Sequence, residues 1–320
     1  MANPAQINEG LHFRLFSRAF VAHDTDTDKR VAFASLDVGM GGFVVKNRVV
    51  SELDKLFPGV YTHENVCLSG THTHSGPAGF LQNTMLQFAG GGFVPATVDA
   101  FVNGTVYAIA AAHHNVEPVD IRMNVGQVLN ASINRSPSAY LYNPEDERAQ
   151  YEYNTDKDMT QLKFTTKATA GSNATDVGLF NWFAVHPTSM NNTNKFVSGD
   201  NKGYASYIAE RAVNGPTSSG VRPGQGKFVA AFASTNLGDV SPNILGPHCQ
   251  DTGLPCDFNT STCNGRNELC VAPGPGKDMF ESTEIIASRQ AKVALELFEA
   301  AEANGTVIDT TNGHVDYRHM

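Results

Sequence analysis

An α/β fold, with a mixed β-sheet core flanked by helices and one disulfide-stapled loop, is the architecture this sequence predicts. Three observations carry the prediction. Short apolar runs alternate along the chain with stretches of helical spacing. One trio, within 30–70, reads strand, helix, strand, and 279–303 has the spacing of a long amphipathic helix. With 320 residues, 41% of them hydrophobic and 17% charged, the chain can bury a large core. Neither an internal repeat nor a dividing linker interrupts it, so 1–320 is read as a single domain.

Taken in order, 30–40 (RVAFASLDVGM) is a mostly apolar strand running into Gly41-Gly42. In 44–57, Val45, Val49, Leu53 and Leu56 share one helical face, and Pro58-Gly59 stops the helix. The next strand is 65–70 (NVCLSG), which completes a βαβ-like unit and favours buried strands. A helix rich in Val and Ala follows over 96–112, then a strand over 120–128. Residues 159–167 (MTQLKFTTK) alternate like a half-exposed strand, and 177–186 (VGLFNWFAVH) is a strongly apolar strand holding the only tryptophan, Trp182. A helix over 204–213, a buried strand over 227–234 and the cysteine loop precede the long last helix.

Composition excludes some roles. A net charge of −9 argues against nucleic acid, whose phosphates demand clustered Lys and Arg. A membrane surface remains open, because an apolar patch reaches it without basic residues. No run approaches the 18–20 apolar residues of a spanning helix, and the polar start MANPAQINEG lacks the apolar centre of a secretion signal. Other features are secretory. Asn-X-Ser/Thr acceptors stand at Asn103, Asn130, Asn134, Asn173, Asn191, Asn259 and Asn304. Cys249, Cys256, Cys263 and Cys270 fall in one loop rich in Gly, Pro, Asn and Thr, too widely spaced for a zinc knuckle. Disulfides are the better reading, with three pairings open, and each bridge closing about 15 residues stabilises by about 3 kcal/mol. They predict an oxidising compartment, and so a secretory protein whose leader is missing from this chain. Cys67, in an apolar run, is expected to be a buried free thiol.

In open α/β sheets, ligands gather beyond the carboxyl ends of strands. Polar residues cluster there in 71–77 (THTHSGP), 186–191 (HPTSMN) and 236–243 (NLGDVSPN), with 134–137 (NRSP) a fourth candidate. In an extended segment His72 and His74 point the same way, and neutral imidazoles suit zinc, which in catalytic sites takes three protein ligands and water. An isolated His-X-His is weak, because one of its rings is often only a hydrogen-bonding group; His186 alone reads as a satisfied half-buried imidazole. Ser241 lies in GDVSPN, which is not a G-x-S-x-G elbow and equally forms a turn in which Asp239 and Ser241 bond local backbone. Arg135 alone reads as a surface or ion-pairing residue. His113-His114 suits a helix C-terminus, without chemistry.

Together LSGTHTHSGPAGF (68–80), INRSPSAYLYNP (133–144), NTDKDMTQLKF (154–164), WFAVHPTSMNN (182–192), GDNKGYASY (199–207), FVAAFASTNLGDVSPNILGP (228–247) and the cysteine loop ending in APGPGKDMF (272–280) resemble the neutral ceramidase family, in order and over almost the whole chain. The resemblance implies a Zn2+-dependent amidohydrolase that splits ceramide into sphingosine and a fatty acid, as sphingolipid catabolism requires. It implies His72 and His186 as zinc ligands, Ser241 as the catalytic serine, and His74 and Arg135 around the scissile amide. It also implies disulfides Cys249–Cys263 and Cys256–Cys270. The substrate would be met at a membrane or micelle surface, and the protein would be secreted or luminal, free or membrane-associated. The family's other zinc ligands, a Glu and a Tyr, and its C-terminal immunoglobulin-like domain lie beyond this sequence, and Tyr317 falls too early to be that ligand. The expectation is therefore a catalytic domain truncated at both ends. Alternatives are an inert fragment and a zinc hydrolase of another amide or ester.

Overall fold

The structure, a computed structural model, describes residues 6–168, 171, 173–216, 220–308 and 314–318. Strands β1 (Ser17–His23), β2 (Arg30–Leu36) and β3 (Val66–Gly70) form a sheet in that order. β1 is antiparallel to β2, and β3 runs parallel to β2 from Ala32↔Val66 to Leu36↔Gly70. Helix α1 (Phe43–Leu56) makes the crossover between β2 and β3, so the βαβ unit read from the sequence is present. Along β2, Ala32, Ala34 and Leu36 pack against Val45, Val49 and Leu53 of α1 and against Val98, Val102 and Ile109 of α2 (Pro95–His114). Phe33 falls between them and faces the opposite way, as period-two alternation requires.

A second sheet contains β4 (Val119–Gln127), β5 (Asp158–Thr166), β6 (Asp176–Trp182), β7 (Val229–Ala233) and β8 (Thr306–Ile308), ordered β7-β6-β5-β4-β8. β7 and β6 are parallel, and the other pairings are antiparallel. Alternation divides these strands too. Leu179, Ala230 and Phe232 join Ala205 and Ala209 of α3 (Asp200–Asn214) and Ile286, Ala287 and Ala291 of α4 (Met279–Asn304). Phe180, Ala231 and Ala233 turn inward to meet Phe20, Phe33, Phe164 and Trp182. Phe180 is central there, with ring centroids 4.4 Å from Phe33 and 4.1 Å from Trp182. The mixed α/β core is thus two sheets stacked face to face between helical layers.

Three readings change. β1 was not expected, because Arg18 interrupts its apolar pattern; Arg18 is buried, with its guanidinium 2.7 Å from Glu210 and 3.2 Å from Asp37. α3 begins at Asp200, not at 204. Cys67 is exposed, not buried: β3 is an edge strand, and the second sheet packs on β1 and β2.

The cysteine loop is closed by Cys249–Cys263 and Cys256–Cys270, the pairing the resemblance implied. Of the glycosylation acceptors, Asn134 is buried and its amide donates to Asn154 O, which leaves no room for a glycan; Asn103, Asn130, Asn173, Asn191, Asn259 and Asn304 are exposed. Among the described residues no helix is long and apolar enough to cross a membrane.

Candidate metal centre

β3 ends at Gly70 and His72 follows two residues later; β6 ends at Trp182 and the chain continues to His186. Gly70 is required by a close approach, since a Cβ there would lie 3.0 Å from both Met40 Cα and Val38 O. Past it, His72 adopts φ 74°, and its N–H donates to Val38 O. His72 and His74 therefore converge through a turn, not through the extended alternation the sequence suggested. The His74 N–H donates to Pro187 O at 3.3 Å and stitches this turn to the His186 segment.

The three imidazoles meet. Ring centroids are 4.7 Å apart for His72 and His186, 4.8 Å for His72 and His74, and 5.2 Å for His74 and His186. His72 Nδ1 lies 2.5 Å from Gly39 O and His186 Nδ1 lies 3.0 Å from Leu237 O. A carbonyl can only accept, so both Nδ1 atoms carry the proton and both Nε2 lone pairs are free for a metal. His72 Nε2 and His74 Nε2 are 3.3 Å apart. That matches the edge, about 3.3 Å, of a tetrahedron with zinc–nitrogen bonds of about 2.0–2.1 Å. One ligand atom from each ring falls within 4.8 Å of the others, so the three can hold a metal ion. Burial first, then the neighbouring His72 and His186 rings and Arg135, push the His74 pKa down to about 4. His186 is lowered mainly by burial, against its bond to Leu237 O. Both rings are neutral at pH 7, the state that ligates.

Behind His186 stands the start of α3, with Asp200, Asn201 and Lys202 all fully buried. Asp200 accepts the N–H groups of Ser189 and Met190 at 3.0 and 2.9 Å. Asn201 Nδ2 donates to His186 O at 3.1 Å and to Ser189 Oγ at 3.0 Å, while Gln290 Nε2 donates to Asn201 Oδ1 at 3.3 Å. Sequence reasoning missed these residues; the signal was an unbroken Asp-Asn-Lys opening a helix just after the His186 segment.

Ser241 lies on a short antiparallel ladder, opposite Ile133 with Val240 opposite Asn134, and Arg135 directly follows it. The His186 N–H donates to Val240 O, and the Arg135 N–H donates to Asp239 O at 2.7 Å, so both segments are fastened beside His186. Arg135 is exposed, and its charge reaches His74 and His186. Ser241 is half-buried; its Oγ accepts the Asn243 N–H, the local bond of the turn reading, and retains a hydroxyl proton to donate. The Cys249, Cys256 and Cys263 sulfurs also cluster, but disulfides consume them.

Stacked sheets carrying three convergent imidazoles at their strand ends define a layered α/β protein with a candidate metal centre. The chain belongs to the neutral/alkaline non-lysosomal ceramidase family, whose N-terminal model matches residues 1–320. It is 50% identical to neutral ceramidase B of Dictyostelium discoideum over 99% of this chain and 42% of that protein. It is 46% identical to neutral ceramidase of Drosophila melanogaster over 100% of this chain and 44% of that protein. Among solved structures, neutral ceramidase from Pseudomonas aeruginosa superposes with a TM-score of 0.76 at 34% identity, covering 94% of this chain and 42% of that one. A ceramidase complexed with C2 matches with a TM-score of 0.77, also at 34% identity, over 94% of this chain and 41% of that one. The chain thus spans less than half the length of these relatives.

Proposed function

We propose that this chain hydrolyses the N-acyl amide of ceramide, giving sphingosine and a fatty acid, with a zinc ion held by His72 and His186. The observation that carries the proposal is the convergence of these two rings, each with its Nδ1 committed to a backbone carbonyl. Relatives named neutral ceramidases supply the substrate class. Zinc, when bound, supplies Lewis acidity toward an amide carbonyl. His74, neutral at pH 7, accepts a proton from the attacking group and returns one to the leaving amine. The Arg135 charge stabilises negative charge developing on the carbonyl oxygen. Ser241 orients the amide or attacks it. In the balance water is consumed: the C–N bond breaks, hydroxyl goes to the acyl carbon and hydrogen to the amine. Two disulfides support an oxidising, secretory-pathway address, and an insoluble substrate implies action at a membrane or micelle surface.

A second reading is favoured by the 3.3 Å between the Nε2 atoms of His72 and His74: His74 is a third ligand. Zinc content and fluorescent-ceramide turnover of the 320-residue chain and its alanine variants decide. We expect one zinc per chain, lost in His72→Ala and His186→Ala, and retained without turnover in His74→Ala. Zinc loss in His74→Ala establishes the three-histidine site. Zinc without turnover in the unmodified chain supports the inert alternative, and turnover of another amide but not ceramide redirects the substrate. No zinc in the unmodified chain sinks the proposal.

A further inference from the structure

From Asn65 to Val98 there is no Lys, Arg, Asp or Glu, in a chain of net charge −9. This uncharged stretch connects β3 to α2, and its tip is strongly apolar. Met85 and Phe88 are each 85% exposed, and Leu86, Phe93 and Val94 are 42%, 40% and 41% exposed. Single exposed apolar residues are ordinary, but five within 85–94 are not. Met85 and Phe88 stand three residues apart in the helical turn Thr84–Ala89, so they project from one side. The loop is pinned at its base by Val94, the last of the five. The Val94 N–H donates to Gly79 O at 2.7 Å, and Gly79, at φ 87°, has no room for a Cβ, which would lie 2.6 Å from Val94 Cγ2. Gly79 is five residues past His74, so the tip is mounted on the same segment as the histidine turn.

We infer that the 85–94 tip inserts into an uncharged, zwitterionic lipid surface and brings the histidine centre to substrate held there; the inference deepens the ceramide reading and rests on it. Charge complementarity selects this partner. Hydrocarbon penalises every charge, and the tip carries none; an anionic surface would be repelled by a chain of net charge −9. Shape agrees, because one helical turn presenting two separately projecting side chains suits a fluid that closes around them.

The test uses the full chain with phosphatidylcholine vesicles free of ceramide. We expect sedimentation with the vesicles, unchanged between low and high salt, and weakened about 30-fold or more by Met85→Ser with Phe88→Ser. In Phe88→Trp, the new indole should be quenched by brominated acyl chains beyond the background from Trp182. Binding untouched by the double substitution, binding only to anionic vesicles, or an unquenched indole would overturn the inference. So would self-association that the double substitution abolishes, which would make a second copy the occupant. Because these vesicles hold no ceramide, insertion succeeds or fails independently of turnover measured on detergent-dispersed ceramide.

Discussion

Asn201 shows how the candidate metal centre is backed by residues that never face it. Its side chain is fully buried and engages the His186 carbonyl, Ser189 Oγ and the Gln290 amide. Asn201→Ala strands all three, and each unsatisfied buried group costs about 1–3 kcal/mol. We expect a stability loss of that order or more in urea unfolding. Zinc affinity by chelator competition should fall about tenfold, the low end for residues that orient a ligand. Unchanged zinc affinity would show that Leu237 and Val240 alone place His186. The three histidines were legible because strand ends are where an α/β sheet collects polar residues. Asp200 and Asn201 were not, since polar residues opening a helix ordinarily face water. Asn201 is met there by Gln290 of α4, far along the chain.

At the scale of elements, the βαβ unit and the strands β5, β6 and β7 were legible because their apolar runs are bounded by turn residues. The division of the core into two sheets was not. A strand covered by helices on one face and by another sheet on the other reads as a continuous apolar run, whatever lies opposite. The face-to-face contact rests on aromatic rings, with Phe180 touching Phe20, Phe33 and Trp182. Phe180→Ala opens a cavity between sheets that helices on both sides prevent from collapsing. We expect a loss of about 3–5 kcal/mol, read as a lower denaturation midpoint with the slope unchanged. Phe180→Leu should recover more than half. A loss below about 1 kcal/mol would mean that the sheets are held by their helices and not by this layer.

Across the whole molecule, buried ionisable groups join the layers. Arg18 of β1 reaches Glu210 of α3 and Asp37 beyond β2, an ion triad spanning both sheets. Lys202 is a different case, because its hydrogen bonds go to neutral acceptors, although Asp200 is buried two residues earlier. Its Nζ donates to Phe183 O at 2.9 Å and Gln290 Oε1 at 3.3 Å, joining α3, α4 and the end of β6. Burial alone brings its pKa down to about 7. In the unfolded chain a lysine titrates near about 10.4. Between these values the unfolded state holds a proton that the folded state lacks, so stability rises with pH across that window. Below about 7 both states are protonated and this contribution is absent. The prediction is that the unmodified chain gains stability from pH 7 to pH 9.5 and that Lys202→Met, of similar length and uncharged, abolishes that component. Urea midpoints of both proteins at the two pH values measure it. Equal slopes would mean that Lys202 stays protonated in the fold, and that the Phe183 carbonyl and Gln290 suffice to solvate a full charge.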